Sequence, residues 1–206
     1  MQGPLDKIVN DTTVCSPYAH ALARDGVAQS VTLLKNAENV LPLDAKSLAT
    51  VAVIGPLVGD STTSKLSSYY GPLVGCGNAP FWVGHHKTMI DAVKHYLPSG
   101  VSMHCGVSGG FYNTTTGKMT CVGLPNAKYN ATSVAAAAQL AAAADVVIVV
   151  VGSGLKMAAE GNDISNISFP DGQAQLIEQV AAAAKKPIVV VTVTVRSHAI
   201  CICACL

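Results

Sequence analysis

Apolar positions fall into two rhythms along this chain. Stretches with apolar residues three and four apart alternate with short runs that are apolar throughout. The first rhythm marks helices with one buried face, and the second marks strands buried on both faces. Ser16 before Pro17 is a helix start, with serine as the cap and proline in the first turn. Ala19, Leu22, Ala23 and Val27 continue it as a stripe. Val31-Thr32-Leu33-Leu34 is expected as a short strand, and Val51-Ala52-Val53-Ile54 as a central one that stops at Gly55-Pro56. Met89, Val93 and Leu97 mark a second helix, which Pro98-Ser99-Gly100 ends before a strand over 101–105. Ser133 is expected to cap an alanine-rich helix running to Ala144, and 146–151 follows as the strongest strand. A helix over 173–184 turns Leu176, Ile177 and Val180 inward, and Lys185-Lys186 suit its negative C-terminal end. Pro187 stops it, and 188–195 is the last strand.

This alternation predicts an α/β fold: a doubly wound, mostly parallel sheet in a three-layer sandwich. Three long segments, 55–83, 106–131 and 152–170, leave the carboxyl ends of strands. That is the edge at which open α/β sheets bind ligands, so one functional rim is expected. Beyond residue 195 the pattern breaks into a Cys-X-Cys-X-Cys tail over 196–206. The expected organisation is one domain over 16–195 and an atypical tail over 196–206.

Composition narrows the function. Half of the 206 residues are hydrophobic, 12% are charged, and the net charge is +1 with no basic run. Such a chain folds around a core and offers no nucleic-acid surface. The apolar stretch 134–152 is long enough to raise a membrane span, but Asp145 interrupts it where alanine gives way to valine. A helix followed by a buried strand accounts for that change, so no membrane span is expected. Residues 1–10 hold no apolar block, and no signal peptide is read in this chain. Seven cysteines leave at least one unpaired if the rest pair; Cys105 and Cys121 flank one loop and form a candidate pair. Four glycosylation acceptors, Asn10, Asn113, Asn130 and Asn166, fall at expected loops or boundaries. With the cysteines they favour an extracellular parent protein. The tail cysteines alternate and bring no fourth ligand, so neither a metal nor a cofactor is expected.

Candidate chemistry is sparse. Gly152-Ser153-Gly154 follows a strand, but position 157 is Met157 and no helix starts at once, so a dinucleotide fingerprint is incomplete. His85-His86 reads as a polar helix start, since neighbours in a helix do not face each other. The acids of the rim stand out: Asp60 in the first segment, Glu160 and Asp163 in the third. Glu160 follows Met157-Ala158-Ala159, and a carboxyl in such a partly apolar setting can serve as a general acid. The alternative at this point is a solvated loop acid.

The segments together resemble family 3 glycoside hydrolases, in the β-xylosidase-like branch. The likeness rests on Val14-Cys15-Ser16-Pro17, on Gln29 to Asn36 as an S-[IV]-V-L-L-K-N stretch, and on Leu41-Pro42-Leu43. It continues with Val51 to Pro56 as V-A-V-I-G-P, Tyr69-Tyr70-Gly71, the A-D-V-V-V-V-V-G-like run to Gly152, and Pro170, Gln173, Leu176, Ile177 and Pro187. The resemblance implies the second domain of a two-domain enzyme. An N-terminal barrel would hold an aspartate nucleophile, and this domain would lend a glutamate across the cleft. Retaining catalysis of that kind needs two carboxyl groups about 5–5.5 Å apart. The resemblance makes 1–15 a linker from that barrel and the domain over 16–195 truncated C-terminally; the 206 residues hold no barrel, so the chain alone is expected to be inactive. The branch's E-x-E-G-x-D-R stretch falls on 158–164, which puts the acid/base on Glu160 and a sugar contact on Asp163. Ala158 and Ile164 depart from the pattern, as does Gly154-Leu155 where the branch has D-Q. Asp60 and Tyr70 are the other candidate sugar contacts. The implied substrate is a xylo-oligosaccharide with a terminal β-xylosyl residue. The competing expectation is a decayed or non-catalytic carbohydrate-binding module.

Overall fold

Two apolar runs become the centre of a parallel sheet because each can be covered from both sides. A computed structural model describes residues 16–58, 89–98, 102–107, 110–111, 131–153, 161, 165–170 and 172–194. They fall into two compact units, with residues 16–37 in one and the remainder in the other.

The first unit contains helix α1 (Pro17–Ser30). The Ser16 hydroxyl accepts from the Ala19 N–H at 3.2 Å and Pro17 opens the first turn, as the sequence predicts. The stripe along α1 is exposed: Leu22 and Val27 both face solvent. The expected strand over 31–34 is not formed, and residues 31–36 are neither helix nor strand. β-branched side chains favour a strand only where a neighbouring ladder completes its backbone hydrogen bonds.

The second unit holds, in chain order, β1 (Thr50–Ile54), α2 (Met89–Tyr96), β2 (Ser102–Val107), β3 (Gly110–Phe111), α3 (Ala131–Ala143), β4 (Val146–Gly152), α4 (Gln173–Ala183) and β5 (Val189–Val193). Among the described residues the strands form one sheet in the order β3-β2-β1-β4-β5. β1 pairs in parallel with β2 and β4, with Val51 opposite both Met103 and Val146. β4 pairs in parallel with β5, and β3 adds a short antiparallel pairing to β2.

Alternation along the strands divides the core. Ala52, Ile54, Val147, Val149 and Val151 pack against Val134, Ala137 and Ala141 of α3 and Leu176, Ile177 and Val180 of α4. Val51, Val53, Val146, Ile148 and Val150 pack against Ile90, Met89 and Val93 of α2. Helices therefore cover both faces of the sheet. The chain runs from β1 to β2 in one direction and from β4 to β5 in the other. Crossovers of one hand then place α2 on one face and α4 on the opposite one.

Ser133 lies inside α3, not at its cap, because Ala131 and Thr132 already turn with the helix. Asp145, which breaks the long apolar stretch, ends this segment and ties two strands together. Its Oδ2 accepts from the Ala49 N–H at 3.0 Å and the Thr50 N–H at 2.8 Å. Those two bonds, with smaller help from Lys186 and Lys185, hold its carboxyl below the ordinary carboxylate range. No helix of the described residues is long and apolar enough to cross a membrane.

Candidate functional site

The reversal of winding direction falls between β1 and β4, and the crevice at their carboxyl ends is where such sheets bind ligands. β4 ends there on a glycine, and a glycine directly follows β1. Gly55 has φ +133°, and a Cβ on it would lie 2.0 Å from the Val150 carbonyl oxygen. Gly152 has φ +144°, and a Cβ would lie 1.9 Å from the Val193 carbonyl oxygen. Only glycine lets the backbone leave each strand so close to the next one.

The segments that leave this edge are tied at their bases. After the Gly55-Pro56 turn, Val58 is buried and its carbonyl accepts from the Ile90 N–H at 3.3 Å, joining the exit of β1 to the start of α2. After β4, the Gly152 N–H donates to Gln173 Oε1 at 2.7 Å, and Gln173 Nε2 donates to the Gly152 carbonyl at 2.9 Å. Gln173 is buried, as is Ser153, whose N–H donates to the Val193 carbonyl at 3.1 Å.

Glu160, Asp163, Asp60 and Tyr70 all lie outside the described residues, as do Asn10, Asn113, Asn130, Cys121 and the tail cysteines. The structure therefore brings together the ends of the segments that carry them. Glu160 and Asp163 lie on the chain between β4 and α4, and Asp60 and Tyr70 on the chain between β1 and α2. Asn166 is described: it is exposed, and its Oδ1 accepts from the N–H of Ser168, the third residue of its acceptor sequence. Among the described residues no group of three or more His, Cys, Asp or Glu could hold a metal ion. Sequence reasoning missed the side-chain role of Gln173. Its signal was a glutamine, a helix-stripe outsider, at the first position of α4.

A doubly wound sheet with helices on both faces defines an α/β sandwich domain. Residues 31–201 match the model of the glycosyl hydrolase family 3 C-terminal domain, and the chain belongs to that family. β-D-xylosidase 3 of Arabidopsis thaliana is 31% identical over 178 residues, 86% of this chain and 19% of that protein. An exo-1,4-β-xylosidase of Aspergillus niger is 33% identical over 174 residues, 82% of this chain and 18% of that protein. A family 3 exo-β-xylosidase solved with a xylobiose aziridine activity-based probe aligns with 86% of this chain and 19% of its own. The identity is 26% and the TM-score 0.62. A β-glucosidase involved in saponin metabolism from intestinal bacteria shares the fold at 20% identity and a TM-score of 0.64, over 87% of this chain and 25% of its own. The chain thus spans about a fifth of the length of the curated xylosidases it matches, at 19% and 18%.

Proposed function

We propose that this chain acts as the second domain of an exo-acting retaining β-glycosidase, a xylan 1,4-β-xylosidase, and contributes its acid/base glutamate. The observation that carries the reading is the run of xylosidases among its relatives, at 31% and 33% identity over more than four fifths of the chain. Glu160 protonates the leaving glycosidic oxygen of a terminal β-xylosyl residue and then activates water. Asp163, Asp60 and Tyr70 contact the sugar from the same rim. The aspartate nucleophile comes from an N-terminal barrel of the parent enzyme, so the 206-residue chain is inactive by itself. The exposed stripe of α1 supports that partnership, because Leu22 and Val27 have a face to cover. The parent protein is a secreted glycoprotein, and the exposed Asn166 supports this part of the reading.

The test is hydrolysis. The purified chain is expected to leave aryl β-xylosides intact. Joined to a family 3 barrel, it is expected to hydrolyse them. Glu160→Gln should then lower turnover of xylobiose by about 10²–10⁴-fold. Aryl xylosides with acidic leaving groups should suffer less, since they need little protonation. Turnover by the chain alone, or an equal loss for both substrate types, defeats the assignment. A second reading, a non-catalytic carbohydrate-binding module, is favoured by Ala158 and Ile164 where the branch has glutamate and arginine. It predicts sugar binding without turnover in the joined protein.

A further inference from the structure

β4 runs past the strand beside it. Ile54, the last residue of β1, lies opposite Val149, whereas β4 continues to Gly152. Backbone groups alternate sides along a strand, and the Ser153 N–H is turned to β5, where it meets the Val193 carbonyl. The N–H and C=O of Gly152 therefore point to the other side, where β1 has already ended. Two buried backbone groups at that place must find partners. The amide of Gln173 supplies both, at 2.7 and 2.9 Å, much as the next residue of a neighbouring strand would. Gln173 is 3% exposed, and an amide buried that deeply is costly unless its own hydrogen bonds are made. Packing alone would be served better by an apolar residue.

The placement has a second consequence. The chain leaves β4 at Gly152 and enters α4 at Gln173, so one side chain joins the two ends of the segment 153–172. The base of the 59–88 segment is joined differently, by a backbone bond between two buried apolar residues, Val58 and Ile90. We propose that Gln173 is a positioning residue, an amide clamp that joins the end of β4 to the start of α4 and so closes the base of the segment between them. The clamp does not rest on the glycosidase reading.

The test is amide hydrogen exchange in the full chain, normalised to intrinsic rates, for Gln173→Met and Gln173→Glu. Methionine fills a similar volume with neither donor nor useful acceptor. Exchange at Gly152 is expected to quicken by about tenfold, while amides of β1 and α3 keep their protection. An ionised glutamate offers acceptors only, so at the alkaline end of a pH series Gln173→Glu should match the methionine variant. Burial disfavours the charge, so on lowering the pH the carboxyl protonates above the ordinary glutamate range; it then presents one O–H and one C=O as the amide does, and protection at Gly152 should return. Wild-type exchange at Gly152 in Gln173→Met overturns the clamp. So does a loosening spread evenly over β1 and α3, or a glutamate variant that folds across the pH series and exchanges fast at Gly152 throughout it. If the glutamate variant does not fold where it is ionised, the methionine variant decides. No sugar enters this experiment, so its failure leaves the Glu160 assignment to the xylobiose assay, and the converse holds.

Discussion

Helices α1 and α4 carry the same kind of apolar stripe and meet opposite surroundings. Leu22 of α1 is 57% exposed, whereas Leu176 of α4 is 8% exposed and packs with Ile177 and Val180 under the sheet. Spacing at three and four residues states that a helix has a face to cover. It does not state where the cover comes from. α4 is a crossover between two parallel strands, β4 and β5, so both of its ends are held at the sheet and its stripe must lie on it. Among the described residues α1 joins no pair of strands, and those that follow it, 31–36, form neither helix nor strand. Burial here follows connectivity more closely than it follows hydrophobicity.

The sharpest way to break this comparison is through the backbone of the sheet region. Gly152→Ala places a Cβ within 1.9 Å of the Val193 carbonyl oxygen, at a φ of +144° that alanine avoids. The strand ends of β4 and β5 must separate to admit it. The expected loss is about 4 kcal/mol or more, read as a lower urea midpoint at unchanged slope. A loss below about 1 kcal/mol would show that this edge yields easily, and the contrast with α1 would weaken.

The next effect separates the two stripes directly. Leu176→Ala should cost about 2–4 kcal/mol, because it empties space under α4 in a core that includes Val149, Val151 and Val180. Leu22→Ala removes the same atoms from a side chain already in water and should stay within about 0.5 kcal/mol. Both values come from one denaturation series. Equal costs would mean that α1 is covered after all and that connectivity does not govern burial here.

The same distinction explains what the sequence discloses. Residues 51–54 and 146–151 read as central strands because an unbroken apolar run needs cover on both faces, and the two core clusters supply it. Two of the long segments, those after β1 and β4, mark the carboxyl edge because parallel strands release their connections there; the expected segment 106–131 instead begins with the end of β2 and the antiparallel β3. β3 was not legible: two residues, one of them glycine, carry no rhythm. Residues 31–34 read as a strand because propensity is local, while the ladder that a strand needs is not. Gly152 drew notice as part of a phosphate-loop pattern, yet its use is a close approach to β5, which depends on a strand forty residues away. Gln173 marks the start of α4 in the sequence, but its amide acts on Gly152 across a segment whose length hides the contact. Glu160, Asp163, Asp60 and Tyr70 are legible as acids and an aromatic on the chain between β4 and α4 and between β1 and α2. Spacing does not orient side chains in such segments, so their geometry is not.

The smallest expected effect has the opposite sign. Gly26 sits in the middle of α1, and a Cβ built on it meets nothing within 4 Å. Glycine in a helix interior gives up more chain freedom on folding than alanine does, by about 0.5–1 kcal/mol. Gly26→Ala should therefore stabilise α1, slowing exchange of its amides by about two- to five-fold, and should leave the urea midpoint of the sheet unit unchanged. The substitution is chemically the same as Gly152→Ala, so the pair isolates surroundings from residue type. If Gly26→Ala instead destabilised the chain, something would have to crowd α1 at that position. The exposed stripe at Leu22 and Val27 could then no longer be taken as an uncovered face. If it stabilised the sheet unit as strongly as α1, the two regions would be unfolding as one, and connectivity would have to give way to shared cooperativity as the reason for their difference.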